Sequence, residues 1–159
     1  MTVTWVKGWV GATDGESSMA HWKAQTLSGN RHFDAGEHAR ALDHYQQALW
    51  LARQQFACWP DADEAVAALV VAHHNLADLL VARTLPDRAA DMLCHVHDCL
   101  LATSQSPASP DPLRVAALRH SRGTRTELLA FVQKHGHHDG ILRCLGQCQC
   151  QTEPAHRLH

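Results

Sequence analysis

Apolar residues recur at three- and four-residue intervals along most of the chain, the spacing that places them on one side of an α-helix. The first such stretch runs from His21 to about His32, with Trp22 and Leu27 as its larger apolar residues. Asp34-Ala35-Gly36 then marks a turn, because glycine accepts a positive φ at little cost. A second helix is predicted from about Glu37 to Ala57, where Ala41, Leu42, Tyr45, Ala48, Leu49 and Ala52 form one stripe and Trp59-Pro60-Asp61 ends it. A third follows from about Asp63 to Arg83, its acidic start (Asp61, Asp63, Glu64) suiting the positive end of the helix dipole. Leu85-Pro86-Asp87 breaks the chain again, with Pro86 where a first-turn proline is tolerated. The fourth helix carries Ala89, Ala90, Leu93, Val96, Leu100 and Leu101. Ser104 to Pro112 holds three prolines and three serines and reads as a loop. A fifth helix covers about Leu113 to Lys134, interrupted in principle by Gly123; a short one spans Ile141 to Gly146, and the tail from Gln147 lacks a core pattern. No alternating, β-branched run is bounded by turns, so the expected fold is all-α, built from antiparallel helix pairs.

With 159 residues, 45% of them apolar, the chain has the size and the core of one domain. Its longest uninterrupted apolar run, Ala65 to Ala72, is eight residues, against about 20 for a membrane span, so no membrane partner is expected. Lys7 is followed by Gly8, Gly11, Asp14, Gly15 and Glu16 in place of an apolar stretch, which argues against a secretory signal and for a cytoplasmic location. Residues 1 to 18 set Trp5 and Trp9 among Gly, Thr and Ser without a period, and Met19 opens the helical pattern. Met19 is therefore an expected native start, with 1–18 a poorly ordered extension, 19–134 a helical domain and 135–159 a Cys/His-rich tail. The net charge is −2, but residues 1 to 111 carry 7 basic and 13 acidic side chains (−6) and residues 112 to 159 carry 7 and 3 (+4). The acidic body would repel phosphate and no aromatic interleaves the C-terminal arginines, so no nucleic-acid partner is expected.

Residues 29 to 53 overlay residues 77 to 101 at one offset of 48: Gly29 falls on Ala77, Ala41 on Ala89, Tyr45 on Leu93 and Ala48 on Val96. Small residues recur where helices approach closely and large ones where they fill. In the first unit Gly29, Gly36, Ala41, Tyr45, Ala48 and Leu49, and in the second Leu76, Ala77, Leu80, Ala89, Leu93 and Val96, give residues 22 to 101 a pattern that resembles the tetratricopeptide repeat (TPR) family. Two departures stand beside it. The offset exceeds that family's repeat of about 34 residues, and Ser28 occupies a position where a large apolar residue is usual. The resemblance implies a TPR-like α-α superhelix whose concave face, lined by the first helix of each pair, holds a partner's peptide without doing chemistry.

One subgroup of such repeats clamps a partner's terminal carboxylate with Asn and Lys/Arg, which the resemblance maps onto Asn30 and Asn75, with Arg119 and Arg122 as cations. Thr26 stands where the first clamp lysine would be, and Asn75 and the arginines also suit plain packing and a solvated face. Arg119, Arg122 and Arg125, spaced by three, line one side of a helix and suit either an acidic partner segment or an intramolecular contact to the acidic N-terminal two-thirds. His135, His137, His138, Cys144, Cys148, Cys150, His156 and His159 place eight possible ligands in 25 residues. Thiolate and imidazole sets suit Zn(II), or Cu(I) where sulfur dominates, so Cys144, Cys148, Cys150, His137 and His138 are the candidate metal ligands; an irregular tail with incidental Cys and His is the alternative. A second cluster, Cys94-His95-Val96-His97-Asp98-Cys99, points no more than two ligands any one way, with His73, His74 and His44 as possible neighbours across a helix pair. Phosphate-cradling glycine loops, HExxH and GxSxG are absent, and no enzyme is expected. The reading is an adaptor or chaperone-like interaction module with a possibility of self-association through an exposed end of the repeat, and its alternative is a metal-responsive protein using the tail.

Overall fold

The computed structural model describes residues 16–149, and their side chains over 18–146. Six helices follow one another: α1 (Glu16–Asp34), α2 (His38–Gln55), α3 (Ala62–Ala82), α4 (Pro86–Gln105), α5 (Asp111–His135) and α6 (Asp139–Gln149), with no strand among the described residues. Short connections turn each helix back on the one before it. α1 pairs with α2, α3 with α4 and α5 with α4 and α6, while α3 also packs against α1, α2 and α5. Of the extension expected at 1–18, residues 1–15 lie outside the described residues, as does the tail beyond 149, while 16–18 belong to α1, which starts three residues ahead of Met19.

The internal offset governs the turns as well as the helices. α1 ends at Asp34 and α3 at Ala82; α2 starts at His38 and α4 at Pro86, 48 residues apart in each case. At the first turn Glu37 N–H donates to the His32 carbonyl and Gly36 N–H to Phe33, with Gly36 at φ +74°. At the second, Leu85 N–H donates to Leu80 and Thr84 N–H to Val81, with Thr84 at φ +59°. Both are Schellman closures, which need a left-handed residue at the corner. Glycine fills that position without strain in the first; a β-branched threonine fills it in the second.

The close approach expected of the small residues is present. Gly29 lies against Tyr45: a Cβ there would stand 2.5 Å from two ring carbons, and the Tyr45 hydroxyl donates to Asn30 Oδ1 at 2.8 Å. At the equivalent place Ala77 and Leu93 belong to one core cluster. Ala41, Tyr45, Ala48, Leu49 and Ala52 are buried as one stripe, and Trp59 from the α2–α3 connection meets Trp22 edge to face at 6.4 Å. In α1 the sequence reading needs one change. Trp22 is buried, but Leu27 is 46% exposed and Thr26 is inside in its place, because α2 covers the side of α1 that carries Met19, Trp22, Thr26 and Gly29.

Asp61 caps α3, its Oδ1 accepting from Glu64 N–H at 3.0 Å. α5 runs unbroken through Gly123, and an added Cβ there would meet open space. α6 is longer than its apolar pattern suggested: His138 Nδ1 accepts from the Ile141 N–H at 3.3 Å, and Ile141, Cys144 and Leu145 enter the core beside Leu128 and Phe131. The core thus extends past residue 134, where the helical domain was expected to end. α3 is long and apolar enough to cross a membrane by length and composition alone, and here half of it is buried against its neighbours.

Gly29→Ala should destabilise the fold by about 1–3 kcal/mol, since Tyr45 must leave its site. Thr84→Gly should stabilise it by about 1 kcal/mol by relieving the left-handed corner. Urea unfolding of the two variants should move the midpoint in opposite directions; equal midpoints would remove the packing argument.

Candidate functional site

Helices α1, α3 and α5, the first of each consecutive pair, jointly line a groove of about 410 Å³. Trp22 and Lys23 come from α1, Ala67, Val70, Val71, His74 and Asn75 from α3, and Arg119, His120, Gly123, Thr124 and Glu127 from α5, with Asp63 at the start of α3. The apolar floor exists because α3 is hydrophobic around most of its circumference. Its partners α2 and α4 cover one side, which leaves Ala67, Val70 and Val71 facing the gap between α1 and α5.

One wall is closed by charge. Asp63 Oδ1 accepts from Arg119 Nη2 and from His120 Nε2, the latter at 2.8 Å. Burial alone would raise the Asp63 carboxyl, but hydrogen bonds from His120 and Arg119 outweigh it and hold the group below its ordinary value. Both side chains of the Arg119–Asp63 pair are at least half exposed, so the pair adds little to stability; its effect is to neutralise Arg119 at the groove wall.

The floor carries neutral imidazoles. His73 Nδ1 must donate to the Leu69 carbonyl at 2.8 Å, since a carbonyl only accepts, which leaves Nε2 as a bare acceptor; it is buried with no hydrogen-bond partner. His74 Nε2 is likewise buried without one, and His74 lines the groove. Burial pushes both histidines down to about 4. Thr124 donates its hydroxyl to the Ser121 carbonyl, so His97 Nδ1 donates to Thr124 Oγ1 at 2.7 Å, tying α4 to the α5 wall.

Of the expected partner-binding residues, Asn75 and Arg119 line the groove. Asn30 does not; it accepts the Tyr45 hydroxyl in the α1–α2 packing. Arg122 is exposed beside the groove and Arg125 is half-buried, outside its lining. Arg119 makes the intramolecular contact to the acidic N-terminal two-thirds, and Thr26, at the missing clamp position, is packed inside. Trp22, Lys23, Asp63, His120, Thr124 and Glu127 line the groove without having been assigned to a site from sequence, and His74 was assigned only as a neighbour of the second Cys/His cluster; the legible signal was the apolar excess of α3 over what a single neighbouring pair covers.

The candidate metal residues are placed apart. His137 is exposed and donates Nε2–H to Asp139 at 2.6 Å, while His138 caps α6 and faces Asp87 at 3.7 Å. Cys144 is buried, its thiol donating to Asp98 Oδ1 at 3.2 Å, in a core cluster against which Cys94 packs. The Cys148 side chain, Cys150, His156 and His159 lie outside the described residues. Among the described residues, no three His, Cys, Asp or Glu side chains converge on a point that a metal would occupy. In the second cluster His73 does reach across the helix pair and stacks on His95 at 5.5 Å, whereas His44 stacks on His32 at 5.2 Å.

The chain belongs to the family described as "Protein of unknown function (DUF2753)", whose family model matches residues 20–158, from within α1 to the far end of the tail. No curated protein and no solved structure matches it.

The unfolded chain binds a proton on each of His73 and His74 near pH 6.5, the folded protein only near 4. Stability is therefore complete above pH 6.5 and falls as the pH drops toward 4, by up to about 1.4 kcal/mol per unit for the fully enclosed His73 and less for His74. Urea midpoints measured from pH ~7.5 to ~4.5 should decline, and His73→Phe should flatten the decline. A flat wild-type profile would mean that the two rings are not held neutral.

Proposed function

We propose that this chain is a non-enzymatic protein-interaction module, a small TPR-like helical repeat of adaptor or chaperone-like type that holds a segment of a partner protein between α1, α3 and α5. The observation that carries this reading is that the three odd-numbered helices share one groove with an apolar floor. A surface of this shape favours an extended or helical segment that sets one apolar side chain against Ala67, Val70 and Val71. Asn75 on the same helix supplies a polar contact for the partner's backbone amides.

Arg119 is already neutralised by Asp63, so attraction of an acidic segment rests on Arg122, exposed next to the lining residue Gly123. Apolar burial supplies the affinity in this arrangement and the rim charge supplies orientation.

Selection of peptides from a displayed random library on the immobilised protein tests the reading. Enriched peptides should share an apolar anchor, and Ala67→Trp, which fills the floor, should weaken them by about tenfold or more, equivalent to about 1.4 kcal/mol. Arg122→Glu should weaken the acidic members of the set, and Trp50→Ala, at an exposed site on α2, should leave binding unchanged. Peptides that bind Ala67→Trp as well as wild type would sink the groove as the binding site.

A further inference from the structure

Away from the groove, α4 and α6 bring two thiols together. Cys94 on α4 is half-buried and packs on the cluster that contains Cys144 of α6, which is 3% exposed. The two thiols act on each other across the α4–α6 packing, which holds Cys94 below its ordinary value and pushes Cys144 above it. The Cys144 thiol also points at Asp98, one helical turn after Cys94, with Sγ 3.2 Å from Oδ1. Asp98 is itself exposed to water. The other described cysteines lack this arrangement: Cys58 is exposed in the α2–α3 connection and Cys99 is half-buried elsewhere on α4.

We propose that Cys94 and Cys144 are an oxidant-reactive dithiol that takes a hydroperoxide as its substrate and closes to a disulfide between α4 and α6. The division of labour follows from position. Cys94, the sulfur that solvent reaches, attacks the outer peroxide oxygen as its thiolate; the O–O bond breaks, the sulfur is oxidised to a sulfenic acid, and the alkoxide or hydroxide leaves with a proton from water. Cys144, excluded from solvent but in contact with Cys94, then attacks that sulfur. Its proton passes to Asp98, the S–O bond breaks, and hydroxide leaves as water when the proton is returned. The sum is two thiols and one hydroperoxide giving one disulfide, one alcohol (or water) and one water, with both electrons supplied by the sulfurs. The buried partner protects Cys94 from further oxidation, because a sulfenic acid in contact with a thiol condenses before a second peroxide arrives.

The product has a structural meaning. Among the described residues α6 touches only α4 and α5, and a bond from Cys144 to Cys94 fixes it to the second helix pair. This inference does not rest on the peptide-binding groove, and it uses Cys144 in a role different from tail metal ligation.

The experiment takes the full chain, reduced and passed over a chelator, through a titration with hydrogen peroxide, followed by alkylation, digestion and mass spectrometry. A Cys94–Cys144 linked peptide, lighter by two hydrogens than the sum of its parts, should appear at peroxide levels that leave Cys58 and Cys99 alkylatable. Cys144→Ser should stop at a sulfenic acid on Cys94 that a 1,3-diketone reagent traps. Asp98→Asn, which keeps the side-chain shape, should accumulate the same sulfenic acid by slowing closure up to about 100-fold, the low end of what a positioned base contributes. The oxidised wild type should also unfold at a higher urea concentration than the reduced protein. Oxidation of Cys58 ahead of Cys94, a disulfide from Cys94 to Cys148 or Cys150, or an Asp98→Asn variant that closes at the wild-type rate would overturn the proposal.

Discussion

A 21-residue helix that is hydrophobic on nearly every side has to be covered on nearly every side, and α3 sets that demand on the rest of the chain. Val66, Leu69, Leu76 and Leu79 are buried by α2 and α4, and Val66 also joins Leu100, Leu113 and Ala117 under α5. α1 approaches only one end. What remains, Ala67, Val70 and Val71, forms the floor between α1 and α5. The groove is thus the remainder of a burial problem that four neighbours solve incompletely, and its place in the fold follows from which face of α3 no helix reaches.

The helix pattern was legible because it depends on contacts close in sequence. The α2 stripe, the breaks at Pro60 and Pro86, and the 48-residue offset all read directly, and the offset extends to turn geometry that residue type alone conceals, since Thr84 does what Gly36 does. Misread features share a cause: each depends on a partner distant along the chain. Leu27 carries the size of a core residue, but the covered side of α1 is decided by α2. Gly123 has the weak propensity of an interruption, yet a helix flanked by α3 and α4 tolerates it. α6 carries only three buried apolar positions, too few to mark a helix alone, and becomes one because His138 caps it and Leu128 and Phe131 receive it.

The site was legible at the level of helices and not of side chains. That the odd-numbered helices share a face follows from the pairing. Which of their polar groups are already engaged does not, because Asp63 and Arg119 stand 56 positions apart and Tyr45 and Asn30 meet across a hairpin. A cation that finds a carboxylate within its own chain ceases to be a rim charge, and an amide that accepts a tyrosine hydroxyl leaves the binding surface. The same holds for the thiols: spacing on α6 pairs Cys144 with Cys148, whereas packing pairs it with Cys94, on a helix closed by another stretch of sequence.

Trp22 gives the groove an optical property. Its side chain is buried, stands edge-on to Trp59 at 6.4 Å, and forms part of the groove wall. Two rings at that distance share excitation, and the emission of such a pair follows the polarity of whatever lies beside it. Replacement of water beside that wall by an apolar side chain would move the pair's emission to shorter wavelength, seen against the emission of the exposed Trp50.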